Sequence, residues 1–266
     1  TLCDNTLAGS AVILVNPLPI AYTVSGGGSY CAGGSGVNLI LSNSEVGVDY
    51  QVYVGASPVG APVAGTGTML NMLVTAPGIY TIVAVNATTG CTNTMSGSAV
   101  VIVNPLPAPI TGSPNVCEGS TTSLANATPG GVWSSNDVTI ATIDAFGTVS
   151  GIMAGVTDIS YTLPTGCYMI QSETVNPLPV VAAITGATNV CEGFTTTFAD
   201  VTAGGVWTSS NPSVAFIDAF GNITGIAAGT ANITYTVTSG FGCVTFVTAP
   251  ITVDPSPVVS VISGPN

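Results

Sequence analysis

The sequence predicts an all-β chain of tandem two-sheet sandwiches set end to end as a rod, with no significant helix. Three observations carry that expectation. Short apolar runs rich in Val, Ile, Thr and Tyr are broken every 6 to 12 residues by Gly, Pro, Asn or Asp, and none has a 3.6-residue apolar period. One segment of 53 residues occurs twice. A stiff tetrapeptide punctuates the chain at module length.

The alternating runs place strands at Val37–Leu41, Tyr50–Val54, Ile79–Val85, Ala99–Val103, Thr157–Leu163 and Thr230–Val237. The duplicated segments, Ile110–Thr162 and Ile184–Thr236, are offset by 74 and identical at 30 of 53 positions. They share ITG..NVCEG.TT, GGVW, IDAFG, GI.AG and I.YT. In IDAFG the Asp caps its own turn and the Gly takes positive φ, so Asp144 and Asp218 are expected to form hairpin turns rather than to act as catalysts.

NPLP occurs at Asn16, Asn104 and Asn176, with DPSP at Asp254, giving spacings of 88, 72 and 78 residues. Paired prolines make these semi-rigid joints. Three complete modules follow: residues 20–107, 108–179 and 180–257. Thr1–Pro19 matches Thr89–Pro107 at 13 of 19 positions, so residues 1–19 are expected to be the end of a preceding module, and residues 258–266 the start of a following one. About seven strands in 70 to 88 residues suit an immunoglobulin-like sandwich.

The charge balance restricts function. The 266 residues include 12 Asp plus Glu but no Lys, Arg or His, for a net charge of -12, where ordinary composition leads one to expect on the order of thirty basic residues. Phosphates cannot be neutralised, which excludes nucleic acid as a partner. General-base His, Schiff-base Lys and anion-clamping Arg are all absent, so catalysis is not expected and no cofactor is called for. Salt bridges and Lys–Asn isopeptide links are impossible. Apolar runs such as Ala11–Val15 and Ala99–Val103 fall far below the roughly 18 residues of a membrane span.

The seven cysteines fall one early and one late in each complete module: Cys31 with Cys91, Cys117 with Cys167, and Cys191 with Cys243. These are expected to be three intramodule disulfides, each worth roughly 4 kcal/mol on the chain-entropy model, in an oxidising extracellular compartment. Cys3 corresponds to Cys91 and is unpaired in this window. Zinc is disfavoured, with no CxxC and no His.

Few other residues attract a functional role. Trp133 and Trp207 each follow GGV at a strand-like position, which favours core packing over sugar stacking. Glu118 and Glu192, each after a Cys, are the best repeated Ca²⁺ candidates, but no DxDxDG loop accompanies them, and solvated turn carboxylates are favoured. Sequons at Asn86, Asn126, Asn222 and Asn232 are the glycosylation candidates.

From Trp207 to Tyr235 the sequence WTSSNPSVAFIDAFGNITGIAAGTANITY resembles bacterial immunoglobulin-like domains of group 2, with a looser copy from Trp133 to Tyr161. The first module, with SGGGSYCAGGSGVNLILSNSEVGVDYQVY, is similar to other immunoglobulin-like or PKD-like repeats of long secreted surface proteins of gliding bacteria. The resemblance implies adhesin or filament architecture and carries over no catalytic residue. The expected function is therefore a non-catalytic structural repeat segment of a secreted cell-surface adhesin or extracellular filament. Its expected partners are neighbouring modules of the same chain or identical chains in a filament. The alternatives are a glycan- or protein-binding module, best placed at Ser42–Gly78, or a spacer in a large secreted enzyme. Strand exchange between chains would be sought at Gly9–Val15 and Val258–Ile262.

Overall fold

The computed structural model describes residue 9 and residues 12–257, every regular element among them a β-strand. The segment Val258–Ile262, Cys3 and most of the expected flanking modules lie outside the described residues. Two compact units form: one holds the chain up to Pro107 together with the loop Leu163–Tyr168, the other Ala108–Thr162 and the chain from Met169.

In the first unit, a three-stranded sheet runs Val24–Gly26, Val37–Leu41, Leu70–Val74. A larger sheet runs Gly28–Cys31, Ala99–Asn104, Gly78–Asn86, Val48–Val54, Ser57–Ala64, with Thr92–Thr94 added on Gly78–Asn86. Period-2 alternation explains the packing: Leu70, Met72 and Val74 are buried while Asn71 and Leu73 face out. They join a core around Leu39, Leu41, Tyr50, Tyr80 and Ile82, none of which is exposed at all.

The second unit contains the two similar repeats, built alike. The sheets of the second repeat are Thr111–Gly112, Thr121–Ala125, Thr148–Gly151, Ala141–Ile143 and Asn115–Cys117, Tyr168–Asn176, Gly155–Thr162, Val132–Ser135. Those of the third are Thr185–Gly186, Thr195–Ala199, Asn222–Gly225, Ala215–Ile217 and Asn189–Cys191, Val244–Asp254, Gly229–Thr238, Val206–Ser209. Along Gly229–Thr238, Ala231, Ile233, Tyr235 and Val237 point inward at every second residue. With no ion pairs available, burial of such side chains, about 1.5–3 kcal/mol for a fully buried Ile, carries the stability.

The expected strands are present, most extending one or two residues beyond the apolar run. Trp133 and Trp207 pack on their repeat cores and lie 4.7 and 4.5 Å, centroid to centroid, from Tyr161 and Tyr235. Each Tyr hydroxyl donates to a loop carbonyl, of Thr128 or Thr202, and accepts from the N–H of Gly131 or Gly205. Asp144 and Asp218 cap their hairpins, accepting from Phe146 and Thr148 N–H and from Phe220 and Asn222 N–H. Bonds from Thr148 and Asn222 hold both carboxyls below the usual range. The following Gly147 and Gly221 have φ of 88° and 87°, and a Cβ there would sit 2.2 Å from the Leu124 or Phe198 carbonyl oxygen.

One core position breaks the pattern. Aligned through its pairing with the strand Asn115–Cys117, Glu173 occupies the place of Val101 in the first repeat and Ile251 in the third. It is fully buried, and neither carboxyl oxygen has a hydrogen-bond partner. Desolvation pushes its pKa up to about 7 from an ordinary value near 4.5. Because the folded-state value is the higher one, this stability is fully present below about 4.5 and is lost as pH rises through about 7. The capped Asp144 and Asp218 act oppositely, losing stability only at lower pH.

Two predictions result. The second repeat loses on the order of 3 kcal/mol between pH 4.5 and 8, and Glu173→Val flattens that profile, as read by hydrogen exchange of its core amides. Tyr235→Phe, which leaves the Gly205 N–H and Thr202 carbonyl unpaired, costs about 1–3 kcal/mol in a denaturation series of the third repeat.

Candidate functional site: the cysteine staples

Each early cysteine ends a short strand that runs parallel to the last strand of its own repeat. Cys31 lies opposite Asn104, Cys117 opposite Asn176 and Cys191 opposite Asp254. The next residue, Ala32, Glu118 or Glu192, continues the pairing by donating its N–H to that same Asn or Asp carbonyl. The early cysteine is thereby fixed where its repeat meets the NPLP or DPSP joint.

The late cysteine stands at the far end of that last strand. Cys167 immediately precedes Tyr168–Asn176 and Cys243 immediately precedes Val244–Asp254. Nine residues at about 3.3 Å each hold Cys117 and Cys167 roughly 30 Å apart, well beyond disulfide reach. The expected intramodule pairs Cys31–Cys91, Cys117–Cys167 and Cys191–Cys243 are not formed.

Instead each staple links the early cysteine of one repeat to the late cysteine of the next. Cys31 bonds Cys167 and Cys117 bonds Cys243, both with Cα–Cα of 5.6 Å, across 136 and 126 residues of chain. In both, the late Sγ lies 4.0 Å from the carbonyl oxygen of the joint's first residue, Asn104 or Asn176. Cys91, half-buried, and Cys191, exposed, are free thiols.

The late loops share one pattern of closure, over five residues in the second and third repeats and six in the first. Leu163 N–H donates to the Cys167 carbonyl and Gly166 N–H to that of Leu163; Ser239, Gly242 and Cys243 repeat this, as do Asn86, Gly90 and Cys91. Each glycine preceding the cysteine has positive φ, 85°, 84° and 72° respectively, which turns the chain back so that the cysteine closes the loop.

The remaining sequence candidates do not assemble. Glu118 and Glu192 sit half-buried at the ends of the early-cysteine strands of different repeats, and among the described residues no three acidic or cysteine side chains gather as a metal site. Asn222 and Asn232 are exposed, on strands. Asn86 caps its loop by accepting from Thr88 and Thr89 N–H, and the amide nitrogen of Asn126 is engaged by the Ala108 carbonyl. The offset between repeats in the staple pairing escaped the sequence. The strand register was the signal that could have revealed it, because it puts the two cysteines of one repeat at opposite ends of one strand.

Residues 171–247 match the family model of the bacterial Ig-like domain (group 2). Among solved structures, the chain is similar to the C-terminal intimin fragment in complex with the translocated intimin receptor domain, at 16% identity and TM-score 0.34, over 59% of this chain and 65% of that one. Invasin, a bacterial integrin-binding protein, matches at 14% identity and TM-score 0.39, over 88% of this chain and 60% of its own. A Ca²⁺-stabilised adhesin with which an Antarctic bacterium binds ice matches at 13% identity and TM-score 0.33, over 90% of this chain and 76% of that one. The chain spans less than two thirds of the intimin and invasin chains. No curated protein matches it.

Digestion of the unreduced chain with a Glu-specific protease, trypsin having no site to cut, yields cross-linked peptides Cys31–Cys167 and Cys117–Cys243. Cys243→Ala lowers stability by roughly 3–5 kcal/mol on the chain-entropy model, while Cys91→Ser leaves it unchanged in the same melt.

Proposed function

We propose that this chain is a non-catalytic structural repeat segment of an extracellular adhesin or filament, built of Ig-like sandwiches at residues 20–107, 108–179 and 180–257, whose joints are cross-linked against force. The observation that carries this reading is the crossed pair of staples, Cys31–Cys167 and Cys117–Cys243. A bond closed within one domain protects that domain alone. A bond from the exit of one repeat to the late loop of the next ties consecutive repeats together and bypasses the joint. Persistence of such bonds requires an oxidising compartment, which supports a surface or secreted location. The bacterial Ig-like match over residues 171–247 supports a structural or adhesion module.

The test is to stretch the chain by its two ends. With both staples intact, the shortest covalent route passes from Cys31 to Cys167, back along the chain to Cys117, and across to Cys243. Full reduction lengthens the unfolded chain about 2.5-fold, from about 38 to about 95 nm at ~3.6 Å per residue. Equal lengths in both conditions would overturn the reading of the staples as links that carry force. Antibodies to this chain label intact, unpermeabilised cells if the location is right; label confined to the cell interior would refute it.

A further inference from the structure

A cavity at the exit end of the third repeat presents the exposed Cys191, and the first repeat carries a loop of the kind that fills such a place. The cavity, about 330 Å³, is lined by Asn189, Val190, Cys191, Phe194, Thr196 and Asp254. In the second repeat the residues equivalent to Cys191 and Asp254 are Cys117 and Asn176. Cys243 meets both, bonding the first and standing 4.0 Å from the carbonyl oxygen of the second. Cys31 and Asn104 receive Cys167 in the same way. The third repeat therefore holds an acceptor of the same make with its thiol free.

The matching plug is Asn86–Cys91. It is one residue longer than the two bonded loops but is closed by the same pair of backbone bonds and has the same positive-φ glycine before its cysteine. Its Sγ lies 4.0 Å from the Asn16 carbonyl oxygen, just as Cys167 and Cys243 lie by Asn104 and Asn176, and its thiol is also free.

We propose that Cys191 and its cavity are a docking and cross-linking site for the Asn86–Cys91 loop of a second copy of this chain, joining copies head to tail through a Cys191–Cys91 disulfide. The proposal rests on the reading of the staples as links between successive repeats. The incoming loop exchanges its own Asn16 carbonyl for that of Asp254. Asn16 and the preceding Val12–Val15 are exposed and in no strand, so the exchange breaks no described pairing. Two S–H bonds break and one S–S bond forms. The two electrons and two protons pass to a low-molecular-weight disulfide such as oxidised glutathione, which leaves as two thiols. Because donor and acceptor differ and lie on the first and third repeats, the contact is heterologous and propagates when it does not close into a ring.

The test uses the whole chain with Cys3→Ser, incubated in a glutathione redox buffer. A ladder of disulfide-linked oligomers forms, and Cys91–Cys191 is the intermolecular cross-link found by mass spectrometry. Mixing the Cys91→Ser and Cys191→Ser chains in that background gives heterodimer in about tenfold excess over homodimers, the ratio that about 1.4 kcal/mol of docking produces. Homodimers as abundant as heterodimer, or glutathione adducts alone, would overturn the head-to-tail link while leaving intact internal staples to support the array. Scrambling of Cys31–Cys167 and Cys117–Cys243 in the same samples would overturn both.

Discussion

The parallel pairing of a short early strand with the far end of its repeat's last strand is the constraint from which the rest follows. It places Cys31, Cys117 and Cys191 level with Asn104, Asn176 and Asp254, at the residue where each sandwich gives way to its joint. The antiparallel course of the last two strands then puts the late cysteine at the opposite end, facing the joint before. With both placements fixed, the two cysteines of the second repeat stand at opposite ends of one strand, and Cys31 and Cys117 bond the late cysteine of the following repeat instead.

The lack of any cationic side chain shapes the remainder. Asp144 and Asp218 turn their carboxylates onto backbone N–H groups in their hairpins. Cohesion falls to alternating Val, Ile and Tyr, to hydroxyl anchors such as Tyr161 and Tyr235, and to sulfur. Glu173 marks the boundary of what this arrangement tolerates. In a core with no Lys, Arg or His to pair with it, a buried carboxyl is held neutral by desolvation, where the sister repeats place Val101 and Ile251.

Much of this was legible in the sequence. Period-2 runs located the strands, the 74-residue offset gave two equivalent repeats, and IDAFG was a capped hairpin in both. Trp133 and Trp207 packed on their cores as GGVW at a strand position implied. Spacing does not reveal the cysteine pairing, because it says how long a loop is, not at which end of a strand it closes. Intramodule pairs looked natural with about fifty residues between the cysteines, yet one extended nine-residue strand separates Cys117 from Cys167. Glu173 stayed hidden for a related reason: in QSETVNPLP it reads as a polar residue near a joint, and only the pairing register shows it facing the core.

Staples that cross repeats suit a chain whose joints are proline-stiffened. Asn104–Pro107 is a short joint with two prolines, which restrict its backbone. The two closed loops, Cys31 to Cys167 and Cys117 to Cys243, overlap along the chain from Cys117 to Cys167. Tension applied at the ends therefore reaches the second repeat through sulfur at both sides, and enters it at Cys167 before leaving at Cys117, opposite to the direction of the chain. With those cysteines at opposite ends of its last strand, the load runs along the strand and shears its hydrogen-bond ladders together, instead of opening them one bond at a time. The parallel pairing that determines which cysteines meet thus also determines the direction in which the sandwich is loaded.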